Sequence, residues 1–157
     1  MKTSNDRIII KFSQKYAILE IETVSSEDDN VEIWNSGQKI YSNLGSGFIN
    51  LNLIDYNKDV IIKGNIILLN CYNCGITALN IDNSNLEFMN CSDNPLSLQS
   101  VISILKSLGK RKAPSITPGR GTFVLGVKNL YPNITQSSEF IKALNMAEAN
   151  GWVIDII

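Results

Sequence analysis

Apolar and polar residues alternate along the first part of the chain, in short runs separated by turn-forming residues. RIIIKF (7–12), YAILEIETV (16–24), NVEIW (30–34), QKIYS (38–42), FINLNLI (48–54) and DVIIKG (59–64) each read as a strand with one apolar face. SSEDDN, NSG, SNLGSG and DYNK supply the breaks between them. This pattern predicts an antiparallel β region over 1–64.

The period then changes. NIILLNCYNCGITALNIDNSNLEFMNCSDNPL (65–96) superposes on itself in steps of ten. One slot holds Ile66, Ile76, Leu86 and Leu96, a second Leu69, Leu79 and Met89, and a third Cys71, Ile81 and Cys91. A fourth holds Cys74, Ser84 and Asn94. Together these follow the leucine-rich repeat pattern L-x-x-L-x-[LC]-x-x-[NC]-x-L. Strand alternation turns the apolar pair of each Leu-Asn-Cys inward and Asn70, Asn80 and Asn90 outward. Ten residues are too few for a leucine-rich coil, but two successive tens suffice, with a short strand on each flank. Residues 66–85 then make one turn and 86–105 the next, which stacks Asn70 on Asn90 and leaves Asn80 on the opposite flank. Asn73, Asn83, Ser84, Asp93 and Asn94 suit the corners. An ordinary antiparallel sheet is the alternative, although hairpins require no constant period.

Beyond 96 the spacing becomes helical. Ser97 is placed to cap LQSVISILKSL, with Leu98, Val101, Ile102, Ile104, Leu105 and Leu108 on one stripe and Gly109 as the stop. A second helix runs from Ser137 or Ser138 to Asn150, and Gly151 ends it before the strand WVIDII.

The repeat segment resembles short-coil leucine-rich repeat proteins of Bacteroidetes bacteria and their phages, which carry strings similar to LDCSNNQLTSLDVSNN. VEIWNSGQKIY (31–41) is similar to the "IDWGDGT…Y" segment of the N-terminal region in that family, without its Asp-Gly turn. LQSVISILKSLG, GTFVLGV and EFIKALNMAEANGWVIDII reproduce the order of the family's closing helix, strand, helix and strand. The resemblance spans most of the chain and implies an α+β fold. That fold is a leucine-rich-repeat-like solenoid of about two turns (65–96), with an antiparallel β cap (1–64) and a helix-strand-helix-strand cap (97–157). A single domain is the expectation for 157 residues.

Charge and candidate chemistry narrow the function. A net charge of −1 and a pI near 5.4 provide no basic field for nucleic acid or an anionic membrane. No apolar run approaches the ~20 residues of a membrane span, and the N-terminus lacks the apolar core of a signal peptide. The expected setting is therefore a virion if the gene is a phage's, and otherwise the cytoplasm. Histidine is absent, so neither a Ser-His nor a Cys-His pair can form. Cys71-Tyr-Asn-Cys74 has CxxC spacing, but with Cys91 alone to add it makes an incomplete zinc set and reads as packing. Glu27-Asp28-Asp29 reads as a solvated turn, and GSG and GRG are too short for a phosphate loop. Asn90-Cys91-Ser92 and Asn133-Ile134-Thr135 match a glycosylation pattern that matters only on secretion. Trp34 and Trp152 read as core residues of the caps.

The remaining reading is a non-enzymatic protein-binding or structural module without cofactor or metal, with no small-molecule substrate, nucleic acid or membrane insertion. The resemblance suggests a phage tail or capsid component contacting other virion proteins. A bacterial cytoplasmic adaptor or immunity-type inhibitor is the alternative. The candidate contact face is the outward ladder Asn70, Tyr72, Asn90 and Ser92. A second candidate is the basic loop of Lys110, Arg111, Lys112 and Arg120.

Overall fold

A computed structural model describes residues 6–23, 30–44, 46–52, 54–82, 85–110, 121–126 and 131–157. They form β1 (Arg7–Phe12), β2 (Ala17–Thr23), β3 (Asn30–Asn35), β4 (Gln38–Leu44), β5 (Gly47–Leu51), β6 (Val60–Lys63), β7 (Ile66–Asn70), β8 (Ile76–Asp82) and β9 (Phe88–Asn90). Helix α1 (Leu98–Ser107), β10 (Thr122–Leu125), a 3-10 turn (Ile134–Gln136), α2 (Ser138–Ala149) and β11 (Val153–Ile156) follow. The strands build two sheets. Sheet A has the order β4-β3-β6-β1-β8, and sheet B the order β11-β10-β9-β7-β2-β5.

This architecture corrects the expected one. The chain is α+β, but it is not a two-turn solenoid closed by two caps. The strands of 1–64 do not form an end cap: β1, β3, β4 and β6 lie in sheet A, whereas β2 and β5 lie in sheet B. The physical reason is that their alternation supplies an apolar face to each sheet. In β1 the inward residues Ile8 and Ile10 are fully buried, and in β2 Leu19 and Ile21 are. Strand β8 meets β1 antiparallel, with Ile9 opposite Asn80, and is the edge strand of sheet A, so among the described residues no strand of a next coil stacks on it. On its other side lies α1 instead of a strand, and Ile81 N donates to Ser107 Oγ at 3.2 Å.

The twenty-residue spacing survives only as a strand pairing within sheet B. β7 and β9 pair in parallel with Leu68 opposite Phe88, Leu69 opposite Met89 and Asn70 opposite Asn90. β9 continues in parallel to β10, and β10 to β11. The connections between these parallel strands run through β8, then α1, then α2, with α1 packed on β8 and α2 on α1. Parallel neighbours require such crossovers.

The helices begin and end where the residues indicate. Ser97 Oγ accepts from Ser100 N at 3.0 Å, and Ser137 Oγ accepts from Phe140 N at 3.3 Å. The carbonyls just past α1 are satisfied by residues that follow α2: Asn150 Nδ2 donates to Leu108 O and Trp152 Nε1 to Gly109 O. Trp152 is buried as expected. Trp34 is not: it is half-buried on the outer face of sheet A, with Lys63 and Lys39 Nζ 4.8 and 5.5 Å from its ring centroid. Both sheets and both helices share one continuous core. Among the described residues, no helix is long and apolar enough to cross a membrane.

Candidate functional site

The repeat places the same turn at the end of β7 and of β9. In each, the strand's last Asn folds back on its own backbone: Asn70 Oδ1 accepts from Tyr72 N at 3.3 Å, and Asn90 Oδ1 from Ser92 N at 3.0 Å. These are Asx turns, which a short amide side chain forms readily. The next residues, Asn73 and Asp93, both take left-handed backbone with φ of 50° and 55°. Asn73 N then donates to Ser92 O at 3.0 Å, which stacks one turn on the other.

Asn94 locks the pair together. It is buried, and its Nδ2 donates to Cys71 O and Cys91 O at 2.9 Å each and to Ser92 O at 3.2 Å. Its Oδ1 accepts from Cys74 N at 3.0 Å and Ile76 N at 2.9 Å. One side chain therefore serves backbone groups of both turns. Cys74 holds the equivalent slot in the first turn, and its thiol donates to Ile18 O at 3.1 Å. Cys71 Sγ donates to Asn90 O at 3.2 Å. All three cysteines are buried and free. Burial pushes the Cys91 thiol up to about 12. The Cys71 thiol rises well above the usual range, first from desolvation and then from the neighbouring Cys91 and Cys74. Among the described residues, no group of three His, Cys, Asp or Glu side chains is placed to hold a metal ion.

The four ladder residues separate into three environments. Asn70 and Asn90 stand opposite each other on the outer face of sheet B, each half-buried, and Asn70 Nδ2 also donates to Glu20 Oε2 at 3.1 Å. Tyr72 is 52% exposed, and a hydrogen bond to the Asp93 carboxylate raises its phenol above the usual value. Ser92, expected to face outward, is buried; its Oγ donates to Asn90 Oδ1, and Gly126 lies directly over its Cβ. Of the basic loop, Lys110 is exposed, while Arg111, Lys112 and Arg120 lie outside the described residues, as does Glu27-Asp28-Asp29.

The wider surface around this ladder was not visible in the repeat. Alternation in six strands puts Ile18, Glu20 and Glu22 of β2, Phe48 and Asn50 of β5, and Leu68 and Asn70 of β7 on one outer face. Phe88 and Asn90 of β9, Thr122 and Val124 of β10, and Val153 and Asp155 of β11 continue it. Ile18, Phe48 and Val153 are 62%, 73% and 65% exposed. The face carries Glu20, Glu22 and Asp155, and no Lys or Arg among its described outward residues. Sheet A differs: its outer face carries Arg7, Lys11, Lys39 and Lys63 together with Glu32 and Asp82, so both signs are present there.

No protein-family model, curated protein or solved structure matches the chain.

Proposed function

We propose that the chain is a non-catalytic protein-binding module whose contact surface is the outer face of sheet B. The carrying observation is that face itself. It is a six-stranded platform that combines exposed Ile18, Phe48 and Val153 with the carboxylates of Glu20, Glu22 and Asp155. Ile18 and Phe48 stand together on the paired strands β2 and β5 at one edge, and Val153 stands on β11 at the opposite edge; exposed apolar side chains grouped within a polar surround mark contact surfaces. A partner that fits it is a protein surface with apolar side chains and an excess of Lys and Arg. Non-catalytic character is supported by the lack of histidine and by thiols that burial keeps protonated, which removes Ser-His and Cys-His pairs. The phage virion as setting rests on the family resemblance of the repeat and closing segments.

Photo-crosslinking tests the surface. A crosslinking residue at position 48 or 153 should capture the partner, and one at position 11, on the outer face of sheet A, should not. Capture from position 11 alone would place the contact on the other sheet. Mass spectrometry of purified particles tests the setting, and absence of the chain from them would remove it.

A further inference from the structure

At the β5 end of sheet B the surface sinks into an open groove of about 560 Å³, bordered by the loop before β2, the end of β5 and the turn after β7. That volume lies within the ~300–1,000 Å³ common for small-ligand sites. Two tyrosines border it, Tyr16 at 59% exposure and Tyr72 at 52%. Four side-chain amides border it as well, those of Gln14, Asn50, Asn52 and Asn73, all exposed. Among the described residues, no Asp, Glu, Lys or Arg lines it. We propose that this groove binds a neutral oligosaccharide, with the tyrosines as stacking platforms and the amides as partners for its hydroxyls.

The chemistry of the lining selects that class. An anionic ligand would find no counter-charge here. A wholly apolar one would strip water from the amides and return no hydrogen bond. A sugar ring presents both complements: a rim of hydroxyls, which donate and accept as an amide does, and an apolar C–H face that meets the negative face of an aromatic ring.

The walls are also fixed in advance. Ser13 N and Oγ both donate to Gly75 O, at 2.7 and 3.0 Å, which ties the loop before β2 to the turn after β7. Gln14 Nε2 donates to Tyr16 O at 2.8 Å, and Ile54 N to Lys15 O at 3.0 Å. Gly75 has φ 71°, a left-handed backbone that glycine takes without strain, and the Gln14 side chain packs against it. A site held by backbone bonds loses little freedom on binding. The groove shares Ile18 and Asn50 with the outer face of sheet B, whereas Phe48 and Val153 lie outside its lining and distinguish the two surfaces.

The test is a glycan array carrying neutral oligosaccharides beside sulfated and sialylated ones, probed with the 157-residue chain. Retention on at least one neutral glycan is expected. Titration with that glycan should show Tyr16→Ala and Asn50→Ala each weaker by roughly tenfold, with Tyr16→Phe close to the parent. Phe48→Glu should leave glycan binding unchanged, which separates this site from the protein face. Melting curves matching the parent will confirm that each exposed substitution is folded, and Asn52→Ala replaces any that is not. No retention, retention on anionic glycans alone, or full-strength binding by Tyr16→Ala would overturn the proposal.

Discussion

Asn94 binds the backbone of Cys74 through its side chain, accepting from Cys74 N at 3.0 Å across a separation of 20 residues, while donating to the carbonyls of Cys71 and Cys91. Removing the amide strands two buried donors and at least two acceptors at once. Asn94→Ala should therefore lower stability by ~3 kcal/mol or more, since each unsatisfied buried group costs about 1–3 kcal/mol. Asn94→Asp keeps the acceptor for Cys74 N and Ile76 N but sets a carboxylate against carbonyls. Its deficit should shrink as the pH is lowered and the carboxyl protonates. Denaturant melts at two pH values check both. A mild cost for Asn94→Ala would mean that the two turns hold without the bridge.

Leu79 and Asn80 are neighbours on β8 with opposite surroundings, Leu79 buried at 4% exposure and Asn80 exposed. Leu79→Asp puts an unpaired charge in the core and should abolish folding, as such a penalty of several kcal/mol is comparable with a typical total stability of ~5–15 kcal/mol. Asn80→Asp should melt close to the parent. Circular dichroism distinguishes them, and the reverse order would invert the facing of β8.

Strands, helices and the in-register pairing of β7 with β9 were legible because each depends on local periodicity. RIIIKF and YAILEIET alternate, and Leu69 and Met89 occupy equivalent slots in the repeat. Which sheet each early strand joins was not legible. β1 and β2 have similar patterns, yet β1 pairs with β8 and β2 with β7, choices settled by contacts distant in sequence. The same limit hid Ser92. Its position in the turn pointed outward, but it is buried, with Gly126, distant in sequence, packed against it. The groove likewise draws on three separated loops, so no single motif could mark it.

Gly126 is tightly placed: a Cβ built on it would approach Ser92 Cβ to 2.6 Å and Asp93 N to 2.9 Å. The obstacle is partly backbone and cannot rotate away. Gly126→Ala should cost ~1–3 kcal/mol, the usual range for overpacking. An unchanged denaturation midpoint would show that the end of β10 can move off the turn.

The buried thiols predict an alkaline weakness with a definite sign. The unfolded chain releases a thiol proton from about pH 8.5, whereas folded Cys91 retains its own up to about 12. Across that window the unfolded state binds fewer protons, so stability falls as the pH rises, by up to ~1.4 kcal/mol per pH unit for one such group. The advantage of the parent over Cys91→Ala should be complete below that window and shrink between pH 9 and 11. A constant gap would show that the folded thiol ionises normally. Labelling by a thiol reagent at neutral pH should likewise be slow until denaturant is added.

Asn90 and Tyr72 distinguish the two uses of the ladder. Asn90 Oδ1 accepts from both Ser92 N and Ser92 Oγ, the latter at 2.6 Å, so its side chain belongs to the turn. Tyr72 is half out in solvent, and its hydroxyl engages the exposed Asp93 carboxylate. Asn90→Ala should therefore lose about 1–2 kcal/mol, equivalent to a fall of roughly 2–8 °C in melting temperature for a domain of this size. Tyr72→Ala should melt within a degree or so of the parent, as surface substitutions usually do. The comparison matters for any binding experiment on this face. Loss of a partner in Asn90→Ala reports a damaged turn, whereas loss in Tyr72→Ala at an unchanged melting temperature reports a lost contact. If Tyr72→Ala were the less stable of the two, the ring would be part of the packing of the turn, and Tyr72 would no longer belong to the contact face.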